Sequence, residues 1–127
     1  MTTKLIHKDI TEAIIGAAIK VHRSLGPGLF EKTYQQCLAY ELLRSGYKVE
    51  EEVELDLVYE GLQVSNAYRI DLLVNDTVIV ELKSVSELSP VHESQILTYL
   101  KLSECRVGLL MNFNVPILKS GIKRFII

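Results

Sequence analysis

The chain has 127 residues, 48% of them hydrophobic and 24% charged, with a net charge of −2 at neutral pH. This is the length of one domain, enough to bury roughly 68% of the surface its unfolded form exposes. The charge balance argues against a dedicated nucleic-acid coat protein, but it leaves room for an enzyme that touches a few phosphates. Charges break every apolar run well short of a membrane span, and no signal-peptide pattern is present. Cys37 and Cys105 lie far apart and match no zinc spacing. The expectation is a cytoplasmic protein in a reducing setting, with no membrane partner.

In chain order, Asp9-Ile10-Thr11-Glu12 has the pattern of a capping box. Ile10, Ile14, Ala17, Ala18, Val21 and Leu25 then recur at helical spacing, so a first helix runs to about residue 24, where Gly26-Pro27-Gly28 stops it. A second helix spans about 30–44, with Phe30, Tyr34, Leu38 and Leu42 as its apolar stripe and Ser45-Gly46 as its stop. Glu31 and Glu41 fall within the same arc. Residues 48–59 read as a long strand with apolar residues at odd positions, turned back at Glu60-Gly61 into a strand over 63–74. Asn75-Asp76 leads into a third strand over 77–83. Ser89-Pro90 opens a third helix with Ile96, Leu97 and Leu100 on its apolar side. Residues 106–112 form an apolar strand suited to burial on both faces, and 122–127 a last short one. The order ααβββαββ predicts an α/β (α+β) fold, a single domain with a mixed sheet flanked by helices.

Three charged residues break this pattern. Asp71 sits in the second strand, and Glu81 and Lys83 project from one face of the third. A buried carboxylate costs several kcal/mol unless a cation compensates it. A buried ion pair with Lys83 is one explanation. Against it, one lysine cannot neutralise two or three acids, and surplus oxygen charge suits a hard divalent cation.

A shared site also constrains the register. A two-residue turn at Asn75-Asp76 would place Asp71 and Glu81 on opposite faces, so the site demands a three-residue connection or a β-bulge. The bulge is the less strained choice, since three residues would ask Thr77 to adopt the left-handed conformation.

Other polar residues have two readings each. Glu31 either stabilises a helix N-terminus or supplies a third acid. Gln95 and Tyr99, four apart on the third helix with His92 a turn earlier, either satisfy each other or face the acids. His22 beside an apolar face is ordinarily packed and hydrogen-bonded.

With these residues in place, the chain resembles the PD-(D/E)xK nuclease superfamily. More narrowly it resembles the GxxExxY family, on Gly28-Leu29-Phe30-Glu31-Lys32-Thr33-Tyr34 and the preceding Val21-His22-Arg23-Ser24-Leu25-Gly26-Pro27. Arg69-Ile70-Asp71, Val80-Glu81-Leu82-Lys83, the Gln95 to Tyr99 pair with Leu100-Lys101, and Gly108-Leu109-Leu110-Met111-Asn112-Phe113 also match. The proline that often precedes the aspartate is replaced by Ile70.

The resemblance implies a restriction-endonuclease-like core and Mg²⁺ or Mn²⁺ held by Asp71, Glu81 and the backbone carbonyl of Leu82, with Glu31 as a further acid. It implies Lys83 as the residue that orients water, and Gln95, Tyr99, Tyr34 and His22 as substrate-binding or supporting residues. The activity implied is hydrolysis of a DNA or RNA phosphodiester, leaving a 5′-phosphate. Two other readings stay open: an idle nuclease-like module for binding or for assembly as a homodimer, and a metal-dependent hydrolase of another phosphoester.

Overall fold

The computed structural model describes residues 6–127. The elements follow the expected order: α1 (Lys8–Leu25), α2 (Glu31–Arg44), β1 (Val49–Tyr59), β2 (Leu62–Val74), β3 (Val78–Lys83), α3 (Pro90–Ser103), β4 (Val107–Asn112) and β5 (Ile122–Ile126). A short 3-10 helix, Leu118–Gly121, between the last two strands has no counterpart in the sequence reading. The expected capping box does not form. The N-cap of α1 is His7, in a left-handed conformation, and Asp9 lies inside the first turn, where its charge favours the helix dipole. Glu12 instead pairs with Lys8 one turn back, at 3.2 Å.

The five strands form one sheet in sequence order, with β3 and β4 parallel across the α3 crossover and every other pair antiparallel. Helices cover both faces. On one side α1 and α2 bring Ile14, Ala18, Tyr34, Leu38 and Leu42 onto Leu72, Val80, Leu82 and Leu109. On the other, α3 brings Ile96, Tyr99 and Leu100 onto Ile70, Ile79 and Leu110. β4 is buried at all six positions, as its unbroken apolar run predicts.

The odd-position alternation expected for β1 does not hold. Val49 packs on the α1/α2 side, while Val53 and Leu55 pack on the α3 side. Between them Glu52 has a φ of 54°, and this left-handed residue resets the pleat. β2 switches faces at the same level, with Ile70 on the α3 side and Leu72 on the α1/α2 side, and the residue between them is Asp71. Pairing resumes in unchanged register on either side, Glu51 with Leu72 and Val53 with Ile70. Farther out the hairpin slips register between Leu55 and Leu57, and its tip leaves Val58, Tyr59 and Leu62 exposed.

The stripe on α2 needs one correction. Tyr34, Leu38 and Leu42 are buried as expected, but Phe30 is 85% exposed. It is the N-cap, with extended backbone at φ −73° and ψ 150°, so helical spacing does not govern where its ring points.

Candidate active site

β2 and β3 pair Val74 with Val78 and Leu72 with Val80, which sets Asp71 opposite Glu81. The connection is the three-residue one, Asn75-Asp76-Thr77. The bulge preferred from sequence is absent from this pairing, because the strain it would have avoided does not arise. Asn75 and Asp76, with φ of 51° and 58°, take the left-handed conformations, and Thr77 is spared. Asn75 is further fixed by Lys48, whose N–H donates to Oδ1 and whose carbonyl accepts the Asn75 N–H, both at 2.9 Å.

At Asp71 and Glu81 side chains replace the backbone ladder. The Asp71 N–H donates to Glu81 Oε2 at 2.7 Å, and the Leu82 N–H donates to Asp71 Oδ2 at 2.9 Å. One oxygen of each carboxylate is thus engaged, leaving Asp71 Oδ1 and Glu81 Oε1 as donors for a cation. Glu81 pairs with Leu110 of β4, which belongs to the α3-side core, so its carboxylate lies on that face. Lys83, two residues on and half-buried, emerges on the same face.

Burial makes this pair uncomfortable as two anions. Glu81 is only 4% exposed, and desolvation, joined by the charges of Asp71 and Glu31, raises its pKa from 4.5 to about 8 against the pull of the Asp71 N–H and Lys83. Asp71 is raised as well, chiefly by desolvation and secondarily by Glu31, while the Leu82 N–H, Lys83 and Arg69 work the other way. Tyr99, buried on α3, feels the same field: desolvation and the nearby Glu81 and Asp71 push its hydroxyl up to about 12. Its ring tilts against Tyr68 with centroids 5.6 Å apart. Gln95, a turn earlier, is half-buried, and His92 is occupied in capping, its Nδ1 accepting the Ser89 N–H at 3.1 Å.

Glu31 does not join the pair as expected. It is the first residue of α2 and is exposed, and its charge reaches Asp71 and Glu81 only through its field. Among the described residues, no three acidic, histidine or cysteine side chains come close enough to hold one metal ion. The physical reason is that a helix's first residue projects beyond its packed face, so a position inside the apolar arc does not bury it.

Tyr34 and His22 act on loops. Tyr34, fully buried and stacked on Phe113 at 4.4 Å, donates from Oη to the Gly26 carbonyl at 2.5 Å and accepts the Leu29 N–H at 3.1 Å. The Ser84 hydroxyl, just past Lys83, donates to the Leu29 carbonyl at 2.6 Å. The Gly26–Leu29 turn is therefore tied to the end of β3, which carries Glu31 toward the acids. The His22 ring bonds the Val115 carbonyl at 2.8 Å, fixing the loop after β4.

Two contributors had gone unrecognised. Asn112, fully buried where β4 pairs with Lys83, donates from Nδ2 to the Val85 carbonyl and accepts the Val85 N–H, holding the segment after Lys83. Its sequence signals are an amide closing an apolar run and a place in the Gly108–Phe113 stretch that carries the resemblance. Glu52, opposite Asp71, is paired with Lys32, lies 3.8 Å from Arg69, and is bonded by the buried Gln35 at 3.3 Å.

An acid on one strand faces the Glu of a Glu-x-Lys strand, in a mixed sheet with helices on both sides. This arrangement defines a nuclease-type core. A profile of the PD-(D/E)XK nuclease superfamily matches residues 8–125, and the chain belongs to that superfamily. Its members generally use divalent metal ions. No curated protein and no solved structure matches the chain. No helix among the described residues is long and apolar enough to cross a membrane.

Proposed function

We propose that the protein is a metal-dependent nuclease of the GxxExxY group that hydrolyses phosphodiester bonds in DNA or RNA. The observation that supports this best is the facing of Asp71 and Glu81 with Lys83 on the same side. The donor set suits Mg²⁺ or Mn²⁺: two hard carboxylates carry more negative charge than their surroundings stabilise, and each keeps an oxygen free. Asp71, Glu81 and the Leu82 carbonyl would hold the ion. Such an ion, when bound, polarises a phosphoryl oxygen and eases ionisation of a water.

The rest falls to the chain. The Lys83 ammonium holds the attacking water in line and stabilises charge developing on the phosphoryl oxygens. Glu31, standing in solvent at the rim, accepts a hydrogen bond from water approaching the acids. The Tyr99 hydroxyl, with a pKa near 12, stays protonated at working pH and serves as a donor, beside the Gln95 amide, to a phosphate oxygen or an acid. Tyr34 and His22 fix the loops that frame the site.

The test is a panel of DNA, RNA and small phosphoesters with Mn²⁺, run on wild type and Asp71→Ala, with calorimetric titration of metal into both. Hydrolysis of a polymer by wild type alone supports the reading. Cleavage only of small phosphoesters would move the protein to another hydrolase class. Failure to bind metal favours an idle binding or assembly module, a reading that draws on the exposure of Glu31 and on its forming no three-group cluster with the pair among the described residues.

A further inference from the structure

The part of the site rim that the mechanism leaves without a task is Phe30. Its ring is 85% exposed, although the three residues that continue its stripe along α2 are buried. Single exposed apolar residues are common, so exposure alone carries no argument. The backbone beneath the ring does. Its carbonyl accepts the Thr33 N–H at 3.1 Å, and the preceding Leu29 is held through its N–H by Tyr34 and through its carbonyl by Ser84. The next residue is Glu31, whose charge registers at both Asp71 and Glu81. The fold thus fixes the backbone beneath this aromatic residue, between a loop anchored to the end of β3 and the acid Glu31, and leaves its ring uncovered. The hairpin tip also exposes apolar residues, Val58, Tyr59 and Leu62, but it lies beyond the register slip between Leu55 and Leu57, away from the level of Asp71.

We propose that Phe30 is a stacking platform for an unpaired nucleobase next to the scissile phosphodiester, so that the substrate presents single-stranded nucleotides at this rim. This rests on the nuclease reading above and adds the substrate class. Base faces stack on aromatic rings with little regard to sequence, and a base must leave its duplex partner to do so. Phe30→Ala should weaken binding of a single strand about tenfold or more, the change that loss of one stacked base produces. Phe30→Tyr should restore it.

The chain contains no tryptophan, so Phe30→Trp introduces a single indole as a direct reporter. In an Asp71→Asn background that prevents cleavage, this variant is titrated with a DNA strand, the RNA strand of the same sequence, the blunt duplex, and an abasic strand. Labelled-strand anisotropy is recorded in parallel. We expect indole quenching by a base-bearing single strand, little by the duplex, and none by the abasic strand; the two strands show whether the base belongs to DNA or RNA. The proposal is overturned if single strands bind with unchanged fluorescence, if abasic and base-bearing strands quench alike, or if Phe30→Ala binds as wild type does. It is also overturned if the indole becomes buried with rising protein concentration alone, which would make Phe30 a contact between copies. Hydrolysis of nucleic acid without quenching sinks the stacking role and leaves the nuclease reading standing. No binding and no hydrolysis of any strand by wild type sinks both.

Discussion

The two faces of the sheet are built from the same strands and put to different uses. Against α1 and α2 the sheet presents Leu72, Val80, Leu82 and Leu109, and His22 there is bonded to the Val115 carbonyl, while the half-buried Arg124 bonds Thr11 and the Ile6 carbonyl but leaves its buried Nε unpartnered. Against α3 the buried core is smaller, and the same β3 that supplies Val80 and Leu82 to one side supplies Glu81 to the other. A strand's two-residue period lets one segment do both. The comparison teaches that the larger apolar core lies on the face away from the candidate site, while the α3 side crowds two carboxylates whose pKa values are raised.

Truncation on the apolar face should have the largest effect. Leu38→Ala should cost about 2–5 kcal/mol, read as a lower denaturant midpoint at unchanged slope, and should leave the metal affinity of the folded protein as it was. A loss of metal binding without loss of stability would break the division between faces. Next comes Lys83→Ala, expected to lower hydrolysis by about 10²–10³-fold, the range for removing one group that stabilises transition-state charge. Its circular-dichroism spectrum should match wild type, with a melting temperature unchanged or slightly lower because the Lys83 charge offsets the crowding of the two acids.

Metal should stabilise only through the α3 face. At an ion concentration about 100 times Kd the gain is about 2.7 kcal/mol, visible as a higher melting temperature in wild type and absent in Asp71→Ala.

The smallest stability effects should come from neutralising the acids themselves. Asp71→Asn and Glu81→Gln keep an oxygen to accept the Leu82 and Asp71 N–H groups, so stability without metal should be unchanged or raised. A loss of about 3 kcal/mol or more in either would identify a structural ion pair instead. The pH dependence follows the same sign. Because folding raises the Glu81 pKa from 4.5 to about 8, its protonated form contributes stability fully below about pH 4.5, and that contribution is lost as pH rises through 8. The metal-free melting temperature of wild type should therefore decline across this window more steeply than that of Glu81→Gln.

Much of this was legible in the chain because the relevant signals are local. Element order follows from periodicity and turn residues, and Asp71, Glu81 and Lys83 stand out as charges in apolar strands. The parity of the β2–β3 connection even required a three-residue turn or a bulge, though Asn75 and Asp76 absorb the strain assigned to Thr77. What escaped was set by tertiary structure. A left-handed glutamate at position 52 has no residue signature, so the joint switch of face with Asp71 could not be foreseen. The Asn112–Val85 and Ser84–Leu29 bonds join residues 27 and 55 positions apart. Phe30 was placed in the apolar stripe because a helical wheel describes the interior of a helix and fails at its N-cap, and the exposed Glu31 beside it keeps to the first of its two readings, an acid at the helix start.

The position of β1 at the open edge of the sheet bears on how the protein behaves in concentrated solution. An unpaired edge of eleven residues is a template on which another chain can add a strand. Along residues 49–60 this edge carries Glu50, Glu51, Glu52, Glu54, Asp56 and Glu60, with no lysine or arginine among them. Two such edges repel each other at neutral pH, so the acidic run guards against strand-to-strand aggregation. Where that repulsion is screened the guard lapses, and the apolar Val58 and Tyr59 at the tip become adhesive. Turbidity of the protein at neutral pH should rise with added salt, before the helices melt.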